Sequence, residues 1–415
     1  AGKTGGSASP EAPATKLVDS LAQGDPLALY GSLAPSEFQL FEPALKRLGE
    51  ATVRDAHASA DQMVQDLRGA VTVKVDGVET KTKQIVANEV ERVTFTAGTV
   101  TFDGDADTIV DIVMDYLEDS YEGAIPRDQL VQARSDMRDR LDLPYTIDFA
   151  DLRRQARESS APIDGVSLVS VHEAGGWYVS PLMSYADLLT GAPSGRQSGR
   201  LGDRIVAAKA SASPEAAAKD LTAAVLKAVN SGFSAQADID AIAERLPLPE
   251  RRLISVYGTA YGDGSRPSQT FTVASDEFSS TQQDGQARLR IDDLQIGAIS
   301  EDQGLQLYNG ITIKGLCATT HSEWVEYGSS YLDPYSDPQK QSSDSDPACL
   351  DASQAAKQLG LDRLSVIAVP EGGGWFVSPI ATLADAATTV SDRLVKLAEA
   401  GKLEDTFRPE NWQTS

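Results

Sequence analysis

Two stretches decide how this chain is read: DGVSLVSVHEAGGWYVSPLMSYAD at residues 164–187 and DRLSVIAVPEGGGWFVSPIATLAD at residues 362–385. They align without a gap at an offset of 198 residues, with about half the positions identical. Upstream, SASPEA occurs at residues 7–12 and again at 211–216, an offset of 204. A head and a tail repeated at nearly the same separation imply two copies of one domain of roughly 180 to 200 residues. That size suits a chain of 415 residues, since domains typically run to about 100 to 200.

Working outward, each tail reads as a β-hairpin. VSLVSV and LSVIAV are rich in β-branched and aliphatic residues, glycines supply a tight turn, and GWYVSP or GWFVSP returns. Period-two alternation puts Trp177 with Val179, and Trp375 with Val377, on one face expected to enter the core. Gly175, Gly176, Trp177, Val179, Ser180 and Pro181, with Gly373, Gly374, Trp375, Val377, Ser378 and Pro379, are the most specific feature of the chain. Their reading is structural: a glycine turn, a core aromatic and a strand-ending Ser-Pro. A short helix follows, with Tyr185, Ala186 and Leu188 in one copy and Leu383, Ala384 and Ala387 in the other.

Each head reads as a helix. Ser9 or Ser213 is placed to cap it, Pro10 or Pro214 occupies the first turn, and Glu11 or Glu215 meets the positive end of the dipole. Leu17, Val18 and Leu21 form its apolar face in the first copy, and Ala217, Leu221, Val225 and Ala228 in the second, with Gly24 and Gly232 as stops. Further helical pattern lies in EFQLFEPALKRL (37–48), interrupted or kinked at Pro43, and in ADIDAIAERL (237–246), ended near Pro247 and Pro249. The middle of each copy is mostly strand-like. Helices first and strands after indicate an α+β domain, not alternating βαβ units. DTIVDIVMDYLEDSY (107–121) adds a helix with acids on one face where the second copy has strand and a cysteine-bounded loop. The expected organisation is a flexible tether at 1–8, a first domain at 9–190, a linker at 191–212 containing GAPSGRQSGR, a second domain at 213–398 and a C-terminal tail at 399–415.

Charge and cysteine content bound the setting. Lys and Arg number 37 against 61 Asp and Glu, a net charge of -24 that disfavours nucleic acid and anionic lipid as partners. No uninterrupted apolar run of about 18 residues occurs, so no membrane-spanning segment is expected, and the Gly/Ser/Pro/Thr-rich opening suggests a tether downstream of a removed leader or an anchor. Cys317 and Cys349 bracket the acidic stretch YLDPYSDPQKQSSDSDP. A disulfide here would restrain the loop by about 3 to 4 kcal/mol and suits an oxidising compartment; two unrelated buried thiols are the alternative.

Signs of catalysis are sparse. His57, His172 and His321 lack partners at ligand or dyad spacing, and His172, replaced by Pro370 in the second copy, reads as a surface turn residue. G-x-S-x-G, S-x-x-K, H-E-x-x-H and the P-loop pattern do not occur. DGDAD spaces Asp103, Asp105 and Asp107 like a calcium loop, but Thr108 and Met114 stand where Gly and Glu belong, which favours a helix capped at Asp107. Asp333, Asp337, Asp344 and Asp346 read as a solvated acidic loop. No catalytic, cofactor or metal residue is assigned, and no cofactor is expected.

The GGWYVSP and GGWFVSP hairpins, closing a helices-then-strands unit with an upstream cysteine pair, resemble those of extracytoplasmic domains in actinobacterial membrane proteins and lipoproteins. Those domains are similar to the NTF2-like, or SnoaL-like, cone fold, whose N-terminal helices pack into a curved antiparallel sheet. The resemblance implies two tandem cone-like domains, secreted or tethered at the cell surface. The function expected is non-enzymatic: binding an envelope protein or a small apolar ligand, or acting as a scaffold, with the membrane reached only through an upstream anchor. This rests on a duplicated scaffold without a duplicated polar constellation. An enzyme with a carboxylate base in one cone, and a purely structural spacer or assembly subunit, are the alternatives.

Overall fold

The computed structural model describes residues 6–42, 56–120, 127–158, 165–191, 201–233, 235–260, 267, 269–302, 304–326 and 339–412. The predicted interruption or kink at Pro43, most of GAPSGRQSGR, and Asp333 and Asp337 lie outside them. So does the side chain of His57, whose backbone is helical. Two compact units emerge: one of residues 1–205, 256–260 and 394–403, the other of residues 206–255, 261–393 and 404–415. No helix among the described residues is long and apolar enough to cross a membrane.

The first unit opens with α1 (Glu11–Gln23), α2 (Pro26–Ser32), α3 (helical over 35–42) and α4 (Ala56–Ala70). Two long antiparallel strands follow, β1 (Val71–Val86) and β2 (Val90–Gly104). A helical pair, α5 (Ala106–Ser120) and α6 (Arg127–Arg140), leads to β3 (Tyr145–Asp148) and α7 (Phe149–Glu158). The repeated hairpin is β4 (Ser167–Glu173) and β5 (Gly176–Ser180), and α8 (Pro181–Gly191) ends the unit. The sheet runs β1-β2-β4-β5, with β3 beside the far end of β2.

The second copy of the sequence repeat follows this plan. α9 (Pro214–Ser231), α10 (Gln236–Ala243) and α11 (Leu248–Tyr257) come first. Then come β6 (Thr270–Gln283), β7 (Gln286–Asp302), β8 (Leu305–Lys314), β9 (Cys317–Glu326), β10 (Gln339–Asp344) and β11 (Ala348–Cys349). α12 (Gln354–Gln358), the hairpin β12 (Val366–Glu371) and β13 (Gly374–Val377), α13 (Pro379–Glu399) and α14 (Leu403–Thr406) complete it. The sheet runs β10-β9-β8-β7-β12-β13, with β6 on β7 and β11 on β9. The α+β reading holds, with helices followed by curled antiparallel sheets.

Curvature starts at matched places. The register of β1 against β2 shifts between Asp76 and Glu79, and that of β6 against β7 between Val273 and Ser275 and again between Glu277 and Phe278. Such bulges bend and twist a long strand. Each sheet carries a core against its first helix. Ala14 and Val18 of α1 meet Val93, Phe95, Val100 and Val179, and Phe149 of α7 stacks on Phe95 at 4.8 Å. Ala217 and Ala218 of α9 meet Ala287, Leu289, Ala368 and Val377.

Some local expectations need correcting. Ser213 caps α9 by accepting from Ala216 N at 3.2 Å, but α1 starts after Pro10 without a side-chain cap from Ser9. Leu21 and Val225 are exposed, because each lies beyond the narrow stripe its helix presents to the sheet. Gly24 and Gly232 do end their helices in the left-handed conformation. Composition marked residues 1–8 as a tether, yet Ser7 exchanges two backbone hydrogen bonds with Trp177, at 2.9 and 2.8 Å. Ser211, in the expected linker, does the same with Trp375 at 3.1 and 2.9 Å. The two repeated sequence segments thus meet each other in both copies. The expected tail is partly anchored too: Thr406 is buried and donates to Gln358 Oε1 at 2.9 Å.

Candidate functional site: duplicated locks on the tail helix

The hairpin turns use two residues with positive φ: Ala174 (49°) and Gly175 (84°) in one copy, Gly372 (60°) and Gly373 (87°) in the other. This is the turn geometry that matches strand twist. Gly176 and Gly374 serve closeness instead. A Cβ on Gly176 would sit 2.4 Å from Gly6 Cα, and one on Gly374 would sit 2.4 Å from Ala210 Cβ, where the preceding segment adds onto the hairpin edge.

Trp375 packs against the core cluster that holds Val377, as expected, but the residue after each Trp is the more deeply buried. Trp177 and Trp375 are half-buried, while Tyr178 and Phe376 are 2% and 1% exposed. The returning strand is covered on both faces. Val179 and Val377 face the first helix, and Tyr178 and Phe376 share the opposite face with Ser180 and Ser378. On that face Arg251 of α11 lies over the Phe376 ring at 5.8 Å, and glutamates of α3 and α11 reach the serines.

Those serines do more than end a strand. Ser180 Oγ accepts from Met183 N at 3.1 Å and Ser378 Oγ from Ala381 N at 3.0 Å, so each is the N-cap of the tail helix, with Pro181 or Pro379 at its first position. Each hydroxyl also donates to a buried carboxylate: Ser180 to Glu37 and Ser378 to Glu250. The next amide joins in. Leu182 N donates to Glu37 Oε2 at 3.0 Å and Ile380 N to Glu250 Oε1 at 3.3 Å. A carboxylate from a separate helix thereby completes the helix start, where the dipole favours negative charge.

Two more ties repeat. Val169 N donates to Ser184 Oγ at 2.8 Å, and Ile367 N to Thr382 Oγ1 at 2.9 Å. Two turns along the helix, Asp187 takes a forked pair of hydrogen bonds from Arg92, and Asp385 takes one from Arg288 with contacts of 2.6 and 2.8 Å. The carboxylates are 5% and 2% exposed and the guanidiniums 27% and 20%. Hydrogen bonding to Asp187 holds the Arg92 pKa above its usual value. Arg92 faces Val169 across the sheet and Arg288 faces Ile367, the same register in both copies. A polar constellation is therefore duplicated, contrary to expectation. It is also buried: Ser180 and Ser378 are 0% exposed. Its chemistry is that of locks between helix and sheet.

Among the other predicted residues, Cys317 and Cys349 are disulfide-bonded and directly opposed on β9 and β11, with Cα atoms 4.0 Å apart. Asp351 lies beside them, but their sulfurs are bonded to each other. His172 is exposed and contacts Trp177 edge-on at 5.3 Å. The calcium spacing at 103–107 is spent locally. Asp103 accepts from Gly104 N at 2.9 Å and Asp105 from Thr108 N at 2.8 Å, while Asp107 pairs with Arg138. The cap of α5 is thus Asp105, not Asp107, because the helix starts at Ala106, two residues earlier than a cap at Asp107 implies.

His321 does have partners. Pairing of β9 with β10 places Asp344 opposite it, with Nδ1 2.7 Å from Asp344 Oδ1 and Nε2 3.5 Å from Glu323 Oε1. Asp344 and Glu323 hold the His321 pKa above its usual value. Lys340 Nζ, 2.6 Å from Glu323, and the Tyr308 amide hold that carboxyl down to about 2. The cluster lies on the surface, with Asp344 70% exposed. Neither a protein-family model, nor a curated protein, nor a solved structure matches the chain.

Proposed function

We propose that the chain is a non-enzymatic binding or scaffold protein of the cell envelope, built from two tandem NTF2-like domains, whose partner is an envelope protein. The observation that carries this reading is the fate of the shared polar groups. The serines, glutamates, aspartates and arginines common to both copies are consumed in holding the tail helix, and the serines and carboxylates lie out of reach of a substrate. What differs between copies is outside that frame: a helical hairpin in one, a disulfide-anchored set of strands in the other. Helices ahead of a curled antiparallel sheet support the fold assignment, and the disulfide supports an oxidising location.

Tyr185 and Leu188 of α8 are 63% and 55% exposed, and Leu383 of α13, at the position matching Tyr185, is 70% exposed. Retention of an envelope component by the immobilised full chain, competed by free chain and lost in a Tyr185→Glu/Leu188→Glu variant that still folds, is the expected result. Equal retention by the variant, or no retention at all, would overturn the reading.

The enzymatic reading has one observation in its favour. Glu250 is a buried carboxyl whose pKa is raised to about 7, the property a general base needs at neutral pH. Turnover of a substrate by the full chain, abolished by Glu250→Gln, would establish it.

A further inference from the structure

The serine–glutamate lock is not the same in the two copies. Glu37 engages both oxygens, Oε1 with Ser180 Oγ and Oε2 with Leu182 N. Glu250 takes the Ser378 hydroxyl and the Ile380 amide on Oε1 alone, leaving Oε2 buried without a hydrogen-bond partner. The residue is 3% exposed.

The charged groups around it do not compensate. Glu371 of β12 is close enough to act on Glu250 unfavourably. Arg251, on the same helix, gives Nη2 to Glu371 Oε1 at 2.7 Å and Nη1 to Leu246 O at 2.8 Å. Arg252, buried on that helix, has interactions of its own. Besides Glu371, the hairpin side contributes the neutral Ser378. Burying an anion with one unsolvated oxygen costs more than burying a neutral carboxyl, so the site favours a bound proton.

We propose that Glu250 is a proton-held latch: around neutral pH the folded second unit carries a proton on Oε2, and its loss weakens the hold of α11 on the Ser378–Pro379 start of α13. Burial pushes the carboxyl up to about 7, against the lowering effect of the Ser378 and amide hydrogen bonds, and Glu371 adds to the rise. Because the folded value lies above the ordinary value of 4.5, the folded state holds the proton after the unfolded chain has lost it. The stabilisation is complete below about 4.5 and fades as pH rises through about 7.

The test is urea unfolding of the full chain with hydrogen exchange read at Ile380 and Ala381, from about pH 5 to pH 8. The unfolding equilibrium constant of the second unit is expected to rise on the order of a hundredfold across that range, and Glu250→Gln to remove most of the rise. Ser378→Ala, which deletes a hydrogen bond to the ionised form, shifts the midpoint of the fall to higher pH. A wild-type chain whose second unit is indifferent to pH, or a folded Glu250→Gln variant with the wild-type dependence, would overturn the latch. Should the Gln variant not fold, the infrared band of a protonated carboxylic acid decides: its presence in the wild type near pH 6 and loss by pH 9 supports the latch, and its absence at both refutes it.

Discussion

In the first copy the far end of β2 is flanked by β3, a strand of four residues reached only after the helices α5 and α6. In the second copy β8 takes the corresponding lane beside β7, reached directly from β7 itself, and β9 and β10 extend the sheet beyond it. Two unrelated routes fill one lane. The tail helix behaves in the opposite way: all three of its ties to strand and neighbouring helix repeat, down to the residue facing each arginine. What the comparison teaches is that the helix locks constrain sequence tightly, because each needs complementary polar atoms at fixed distances. A sheet lane needs only a strand with the right alternation.

The comparison can be broken most forcefully at the ion pairs. Asp187→Ala and Asp385→Ala each strand a guanidinium beside a buried site, and each is expected to cost about 3 to 5 kcal/mol in urea unfolding of its own unit. A large loss at one and none at the other would end the equivalence. Reducing the disulfide should cost about 3 to 4 kcal/mol, and calorimetry should place that loss in the second unit alone. Ser180→Ala and Ser378→Ala remove an N-cap and are expected to cost about 1 to 2 kcal/mol below pH 6, with similar values in both copies. The smallest effect sharpens the comparison. Ala174 adopts φ 49° where the second copy has Gly372, so Ala174→Gly should stabilise by less than about 1 kcal/mol and Gly372→Ala should destabilise by about as much or somewhat more.

The frame was legible because its signals are local. Glycines between two apolar runs announce the hairpins, Gly24 and Gly232 announce helix ends, and the lone cysteine pair announces its bond. The locks were not legible. Glu37 and Glu250 lie 143 and 128 residues from their serines, so no spacing links them. One signal was available: LAPSE at 33–37 matches LPLPE at 246–250 in its first and last residues. Asp187 and Asp385 close the aligned hairpin segments, yet an acid near a helix looks the same in sequence whether it faces solvent or an arginine. Alternation along the strand puts Trp177 with Val179 on the face toward the first helix, but the deeper burial of Tyr178 on the other face depends on a helix remote in sequence. His321 and Asp344 meet only through the pairing of β9 with β10.

Equivalence of the two tail-helix locks is tested most directly by hydrogen exchange on the intact chain carrying Asp187→Asn or Asp385→Asn. Each variant is expected to deprotect a corresponding set of amides in its own copy, Val169, Leu182 and Met183 in the first and Ile367, Ile380 and Ala381 in the second. Faster exchange at one set with no change at the other would contradict the duplication of a single locked frame.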